Sequence, residues 1–260
     1  MQIVKFLLPI FFFPLLISCA SLSESELRSE MLVADLSIQC NYYEDAIKSL
    51  SRVIAIDPYN ERALKMRGEC YCRQRKFSLA ATDFKTLYET YGKTEYLLQS
   101  AKAKYEIDLY EDVVKDCLTL ESVSDDKSEL FVAWNLLANS YFEIEKYSEA
   151  EKYYNLMLQQ HKRPDIYFER ATNFIHMQEY QKAKNDLLEI VVLVQDYSEV
   201  KKKLALNDEY YYTLGYCDLA LRNFKEALSS FDKITNKQQF DNLEKYIDVC
   251  EKNDCNKDSR

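Results

Sequence analysis

From about Leu27 the apolar residues keep helical spacing, and small residues recur among them with a long, nearly constant period. Ala34, Gly68, Ala101, Ala138, Ala171 and Gly215 are each followed twelve positions later by Ala46, Ala80, Val113, Ala150, Ala183 and Ala227. Three residues before each second member stands an aromatic: Tyr43, Phe77, Tyr110, Tyr147, Tyr180 or Phe224. Four residues after it stands a core-sized side chain: Leu50, Phe84, Cys117, Tyr154, Leu187 or Phe231. Successive copies are offset by 34, 33, 37, 33 and 44 residues. Antiparallel helices approach closely only where side chains are small, so the pattern predicts six helix pairs, the aromatic filling the gap beside each turn.

These residues resemble the tetratricopeptide repeat, a 34-residue helix-turn-helix unit, over roughly 27–236. The best copy, WNLLANSYFEIEKYSEAEKYYNLML, places Trp134, Leu137, Ala138, Tyr141, Ala150 and Tyr154 on the family's signature positions. The resemblance implies an all-α fold: a right-handed superhelical solenoid of about six repeats (27–236), then a capping helix and polar tail (237–260). Phe240, Leu243, Tyr246, Ile247 and Cys250 keep helical spacing and supply that cap, giving thirteen helices. Copy one has Ser37 in place of an aromatic, and copy three has Val113 and Cys117 at places for Ala and a bulky aromatic, so both are expected to pack more loosely. The 37-residue offset predicts an acidic loop, SVSDDKSE. The 44-residue offset predicts a lengthened second helix and a long connection through LVQDYSEVKKKLAL.

Composition agrees with helices. The chain has 3 Gly and 4 Pro in 260 residues, where average usage would supply roughly thirty. That leaves almost nothing for tight turns at special backbone angles, phosphate-cradling loops or dinucleotide folds. Pro58 and Pro164 fall between copies, where helices must stop. A net charge of -9 disfavours attraction to nucleic acid or anionic headgroups.

The N-terminal segment carries a separate signal. Lys5 is followed by an apolar run, Phe6 to Ile17, shorter than the roughly 20 residues of a membrane span and interrupted by Pro9 and Pro14. Leu16, Ile17, Ser18 and Cys19 resemble the lipobox of a bacterial lipoprotein signal. The resemblance implies a signal peptide over 1–18 and a lipidated Cys19 as mature N-terminus. A short tether over 19–26 then holds the body near the membrane through acyl chains. The residues leave two alternatives open, an ordinary cleaved signal peptide and a cytosolic protein with an apolar tail, the latter leaving a Phe-rich stretch facing water. The expected location is extracytoplasmic in a bacterial cell envelope, on the outer rather than the inner membrane.

In such repeats the first helix of each pair lines a concave groove. Residues placed there are Arg62, Lys65, Glu69 and Arg73 from copy two and Lys102 and Tyr105 from copy three. Copies four to six add Asn135, Asn139, Phe142, Phe168, Thr172, Tyr212 and Tyr216. Asn135 and Asn139, one turn apart, are spaced to bond the backbone of an extended peptide, and the aromatics beside them to take apolar side chains. Packing between adjacent helices is the other reading of those aromatics. The expected partner is therefore a protein or peptide in the groove, with the membrane reached through lipid and no nucleic acid.

Cys70 and Cys72 point to different helix faces, and His161 and His176 are too scattered for zinc, so no metal site or cofactor is expected. Cys250 and Cys255 are spaced to close a small loop under oxidising conditions. No serine elbow, phosphate loop or histidine cluster suggests catalysis. The expectation is a non-enzymatic, membrane-anchored binding scaffold. Alternatives by resemblance are a subunit of outer-membrane protein assembly or a secretin pilotin, and the competing class is a surface-displayed lipoprotein acting on the environment or host.

Overall fold

Each of the six small-residue pairs lies in a contact between two helices. The computed structural model describes residues 24–254, in which the regular structure is helical throughout, without strands. Six consecutive pairs are α1 (Glu24–Gln39) with α2 (Tyr43–Ile56), α3 (Glu61–Arg73) with α4 (Phe77–Tyr91), α5 (Thr94–Tyr105) with α6 (Tyr110–Val123), α7 (Lys127–Glu143) with α8 (Tyr147–Gln160), α9 (Pro164–His176) with α10 (Tyr180–Leu193), and α12 (Asp208–Ala220) with α13 (Phe224–Phe231). A short helix α11 (Glu199–Ala205) precedes the last pair, and α14 (Leu243–Asp254) follows it. Apart from α11, which α10 skips to pack on α12, helices pack on their neighbours in chain order, and first helices of successive copies also touch, α5 on α7 and α9 on α12. That is the packing of a solenoid with an inner layer of first helices.

Ala34, Ala46, Ala80, Ala101, Val113, Ala138, Ala150, Ala171, Ala183 and Ala227 are all fully buried. Leu50, Phe84, Cys117, Tyr154, Leu187 and Phe231 are buried beside them. Each large side chain among these contributes about 1.5–3 kcal/mol by leaving water. Copy three shows no solvent-exposed gap at these positions: Val113 and Cys117 exclude solvent completely and belong to the same core as Leu120, Tyr153 and the partly buried Tyr105.

The two insertions are absorbed differently from expectation. Between copies three and four the loop shrinks to Ser124–Asp126, and α7 takes up the extra residues as an added first turn. Asp126 caps that turn, accepting from the Ser128 and Glu129 amides at 2.7 and 3.3 Å, while the Ser124 hydroxyl donates to Glu129 at 2.8 Å. In the longer insertion α10 keeps 14 residues and α11 forms as a separate helix. Val194 is the last buried side chain of that run, and residues 195–201 are exposed, so nothing apolar draws the helix onward.

Scarce glycine does not mean an absence of left-handed turns. The residue seven positions after each first-helix small residue has positive φ: Asn41, Arg75, Asp108, Glu145, Gln178 and Arg222, all between 57° and 61°. In each turn the next amide closes back onto the ending helix, as Lys76 N–H does onto Tyr71 O at 2.8 Å. The turn between paired helices thus demands this conformation six times and never from glycine. Gly92 (φ 65°) meets the same demand after α4.

Two buried ion pairs recur in register. Arg67 forks onto Asp83 at 2.7 and 2.8 Å, and Arg170 onto Asp186 at 2.7 Å through both nitrogens. Both arginines stand one residue before the first small position, and both aspartates three after the second. Each ties a first helix to its partner through a bidentate, nearly dry contact.

Candidate functional site

The inner layer of first helices sets the geometry of the predicted groove residues, and they divide into three groups. At the α1 end the basic residues are compensated. Arg62 bonds both oxygens of Asp35 at 2.7 and 3.0 Å, and Lys65 lies 4.0 Å from Glu95 and 6.0 Å above the Tyr96 ring. Arg73 is exposed and lines a cavity of about 570 Å³ with Glu69 and Gln99. At the other end the aromatics are used in packing: Tyr212 stacks on Phe240 (4.3 Å, 9°), and Tyr216 meets Tyr246 at 5.6 Å and Tyr180 at 6.0 Å. The cap therefore covers two of the aromatics expected to stand in the groove. Phe168 lines a 430 Å³ cavity with Tyr197 and Leu204, bordered by α11. Lys102 is half-buried on α5.

Between these ends α5, α7 and α9, with Tyr154 of α8, line a smaller, open cavity of about 270 Å³. Four of its lining residues, Tyr105, Asn139, Phe142 and Thr172, are groove positions legible in the sequence. Asn139 is partly engaged: its oxygen accepts from the Tyr154 hydroxyl at 3.0 Å and its nitrogen donates to Asn135 at 3.4 Å. Phe142 is held edge-on by His176 (4.9 Å) and Tyr147 (5.6 Å).

Sequence reasoning missed Glu143, Tyr154 and Glu169 as lining residues. Glu169 is the informative omission. Its position, two residues before the small one, holds Leu32, Met66, Gln99, Leu136 and Thr213 in the other copies, so a carboxylate there breaks the row. Its Oε2 is buried without a hydrogen-bond partner. Burial pushes its pKa up to about 7; Asp165 adds to the rise, and Arg163 opposes it. Arg163 is itself ion-paired with Asp165 and gives Glu169 no hydrogen bond. Burial likewise raises the Tyr105 and Tyr154 hydroxyls, and Glu143 and Glu169 add to both.

Among the described residues no group of His, Cys, Asp and Glu side chains could hold a metal ion, and no helix is long and apolar enough to cross a membrane. Cys117 and Cys217 are buried thiols pushed up to about 12 by burial, Cys217 half a turn from the Gly215 crossing. Cys19 and Cys255, and with them the lipid site and the Cys250–Cys255 loop, lie outside the described residues.

Comparison with known proteins rests on fold. Residues 132–159 match the tetratricopeptide repeat family model, and no curated protein sequence matches the chain. Solved structures resemble it at low identity. PilW, a widely conserved type IV pilus biogenesis factor, is 13% identical with a TM-score of 0.58, covering 84% of this chain and 96% of its own. Pseudomonas aeruginosa pilF is 16% identical with a TM-score of 0.56, covering 80% and 90%. YrrB, a tetratricopeptide-repeat protein with an unusual peptide-binding site, is 14% identical with a TM-score of 0.55, covering 67% and 90%. The repeat matched at 132–159 and the six registered helix pairs share the fold of tetratricopeptide-repeat structures, a solenoid of stacked helix pairs.

Proposed function

We propose that the chain is a non-enzymatic scaffold that binds a protein partner along the inner face of its first helices and is held at a bacterial envelope membrane, outside the cytoplasm, by lipid on Cys19. The observation that carries the binding half is the cavity between α5, α7 and α9, where amides, rings and an unpartnered carboxyl oxygen meet on the solenoid's inner layer. Such groups present directional bonds and apolar surface together, which suits a peptide better than a flat solvated face does. The lipobox residues Leu16 to Cys19 support the anchor. The acidic body gives anionic lipid no hold of its own, leaving the acyl chains to do it.

The likeness to PilW and pilF supports a second, narrower reading as an assembly factor for an envelope structure, through fold alone. Photo-crosslinking amino acids placed in the full chain at Tyr105 or Phe168, against exposed Leu79 on α4, test the groove. Capture of one discrete partner from the inner positions and not from Leu79 is expected, and equal capture from all three would refute it. Cys19→Ala should move the chain from the detergent phase to the aqueous phase; unchanged partitioning would overturn the anchor. Protease digestion on intact cells would exclude an inward-facing assembly role.

A further inference from the structure

We infer that the cavity between α5, α7 and α9 is a lysine pocket, taking the ammonium of a lysine side chain from the peptide that the groove binds. This rests on the groove reading above. Three features of the pocket converge on such a group. First, two carboxylates reach it, Glu169 from α9 and Glu143 from α7, while no basic residue is among those lining it. Second, the Oε2 of Glu169 is buried and receives no hydrogen bond, so an acceptor has been taken out of water with nothing in the chain to donate to it. Arg163, the guanidinium that acts on Glu169, is itself ion-paired with Asp165. Third, Tyr105, Phe142 and Tyr154 supply aromatic rings, whose faces attract a cation and whose apolar bodies suit the methylene stem of lysine.

Asn139 accepts from Tyr154 and donates to Asn135, and the Thr172 hydroxyl donates to Phe168 O, so Glu169 Oε2 stands out among the lining groups as a buried acceptor that no donor reaches. A compact ammonium carries three donors and one positive charge, answering the unpaired oxygen of Glu169 and the charge of Glu143 together. The raised pKa of Glu169 is the expected signature of such a site when empty: the carboxyl is held partly neutral by burial, and an arriving ammonium favours its ionised form. Its titratable surroundings are Tyr105 on α5, Glu143 on α7, Tyr154 on α8, and Asp165 and Arg163 near the start of α9. Apart from Arg163 all of them are acidic or neutral, so affinity should fall as pH drops below about 7.

Thr172 lines the pocket and supplies a reporter. The full chain, in detergent micelles with methyl-labelled threonine, is titrated at pH 8 with N-acetyl-lysine methylamide, its norleucine counterpart or its arginine counterpart. The expected result is a saturable shift of the Thr172 methyl with the lysine compound, and binding at least tenfold weaker for norleucine and arginine. Glu169→Gln, which keeps the volume and removes the charge, should weaken lysine binding about tenfold while leaving the helical circular dichroism unchanged. Glu143→Gln should weaken it less. Equal response to norleucine, equal response to arginine, or lysine binding untouched by Glu169→Gln would each overturn the assignment. The groove reading is scored separately by crosslinking: partner capture from Tyr105 with no lysine response removes the pocket and leaves the groove.

Discussion

Gly68 and Gly215 occupy the same place in their copies, at the crossing of a first helix with its partner, yet alanine should be nearly neutral at the first and destabilising at the second. In a helix interior Gly→Ala gains about 1 kcal/mol. A Cβ at Gly68 would meet Cζ, Cε1 and Cε2 of Phe84 at 3.0, 3.1 and 3.2 Å, against roughly 3.5–4.0 Å for an ordinary carbon contact. A withdrawal of about half an ångström suffices there, and the gain and the crowding nearly cancel. At Gly215 the Cβ would lie 2.9 Å from Cζ and 2.6 Å from Cδ1 of Phe231, and closer still to Cε1. That ring must retreat by about 1 Å, and it is boxed in. Phe231 is fully buried, with Tyr212 and Tyr246 each 6.4 Å away and Leu243 and Cys250 of α14 in the same cluster. Overpacking of this kind costs about 1–3 kcal/mol, and a retreat of about 1 Å in a boxed-in ring lies in the upper half of that range, so after the helix gain of about 1 kcal/mol Gly215→Ala should destabilise by about 1–2 kcal/mol net. The loss should be concentrated in α13 and α14, because neighbouring repeats share only their interface. Urea unfolding gives the total, and amide exchange in α14 gives its location. Phe231→Leu shortens the obstacle, so the double variant should cost less than the sum of the singles by at least 0.5 kcal/mol. A Gly215→Ala chain as stable as Gly68→Ala, or strict additivity with Phe231→Leu, would refute the packing argument.

Three further outcomes are expected. Asp186→Ala leaves the Arg170 guanidinium in a nearly dry site with Asn155 but no carboxylate beside it and should cost about 3–5 kcal/mol in urea unfolding, while Arg170→Met with Asp186→Leu should recover most of it; a loss under 1 kcal/mol for the single change would contradict the pair's burial. Gln178→Gly relieves a left-handed backbone angle of about 1–2 kcal/mol and gives back about 0.5–1 kcal/mol of chain entropy. It should therefore raise stability by about 0.5–1 kcal/mol, and a fall would count against the strain. Glu169 has a folded pKa of about 7, above the ordinary 4.5, so its contribution is fully present below about pH 4.5 and is lost as pH rises through about 7. The stability difference between wild type and Glu169→Gln should shift against wild type across that window and level off above it. A difference independent of pH would show that Glu169 titrates normally.

The repeat was legible because its determinants are local and periodic. Small residues at helix crossings, an aromatic beside each turn and a large residue one turn later are demanded by the geometry of any two packed helices, and they recur wherever that geometry does. The ion pairs were equally periodic, Arg67 with Asp83 and Arg170 with Asp186, but in only two copies, too few to stand out from charges on a solvated face. The left-handed turns were hidden for another reason: tertiary packing holds Glu145, Gln178 and Arg222 in an angle their residue types do not favour, so composition gave no sign of it.

By itself, then, the sequence determined the helix pairs, their register and the inner helix layer, since these follow from side-chain size at fixed intervals along one chain. Only the tertiary structure decided which inner residues remain available. Tyr212 and Tyr216 are taken up by a cap that lies thirty residues further on, and Arg62 and Lys65 by acids on neighbouring helices. Glu169 became informative for the same physical reason. Whether a carboxylate is solvated or stranded depends on what α5, α7 and α8 place around it, which its own helix does not encode.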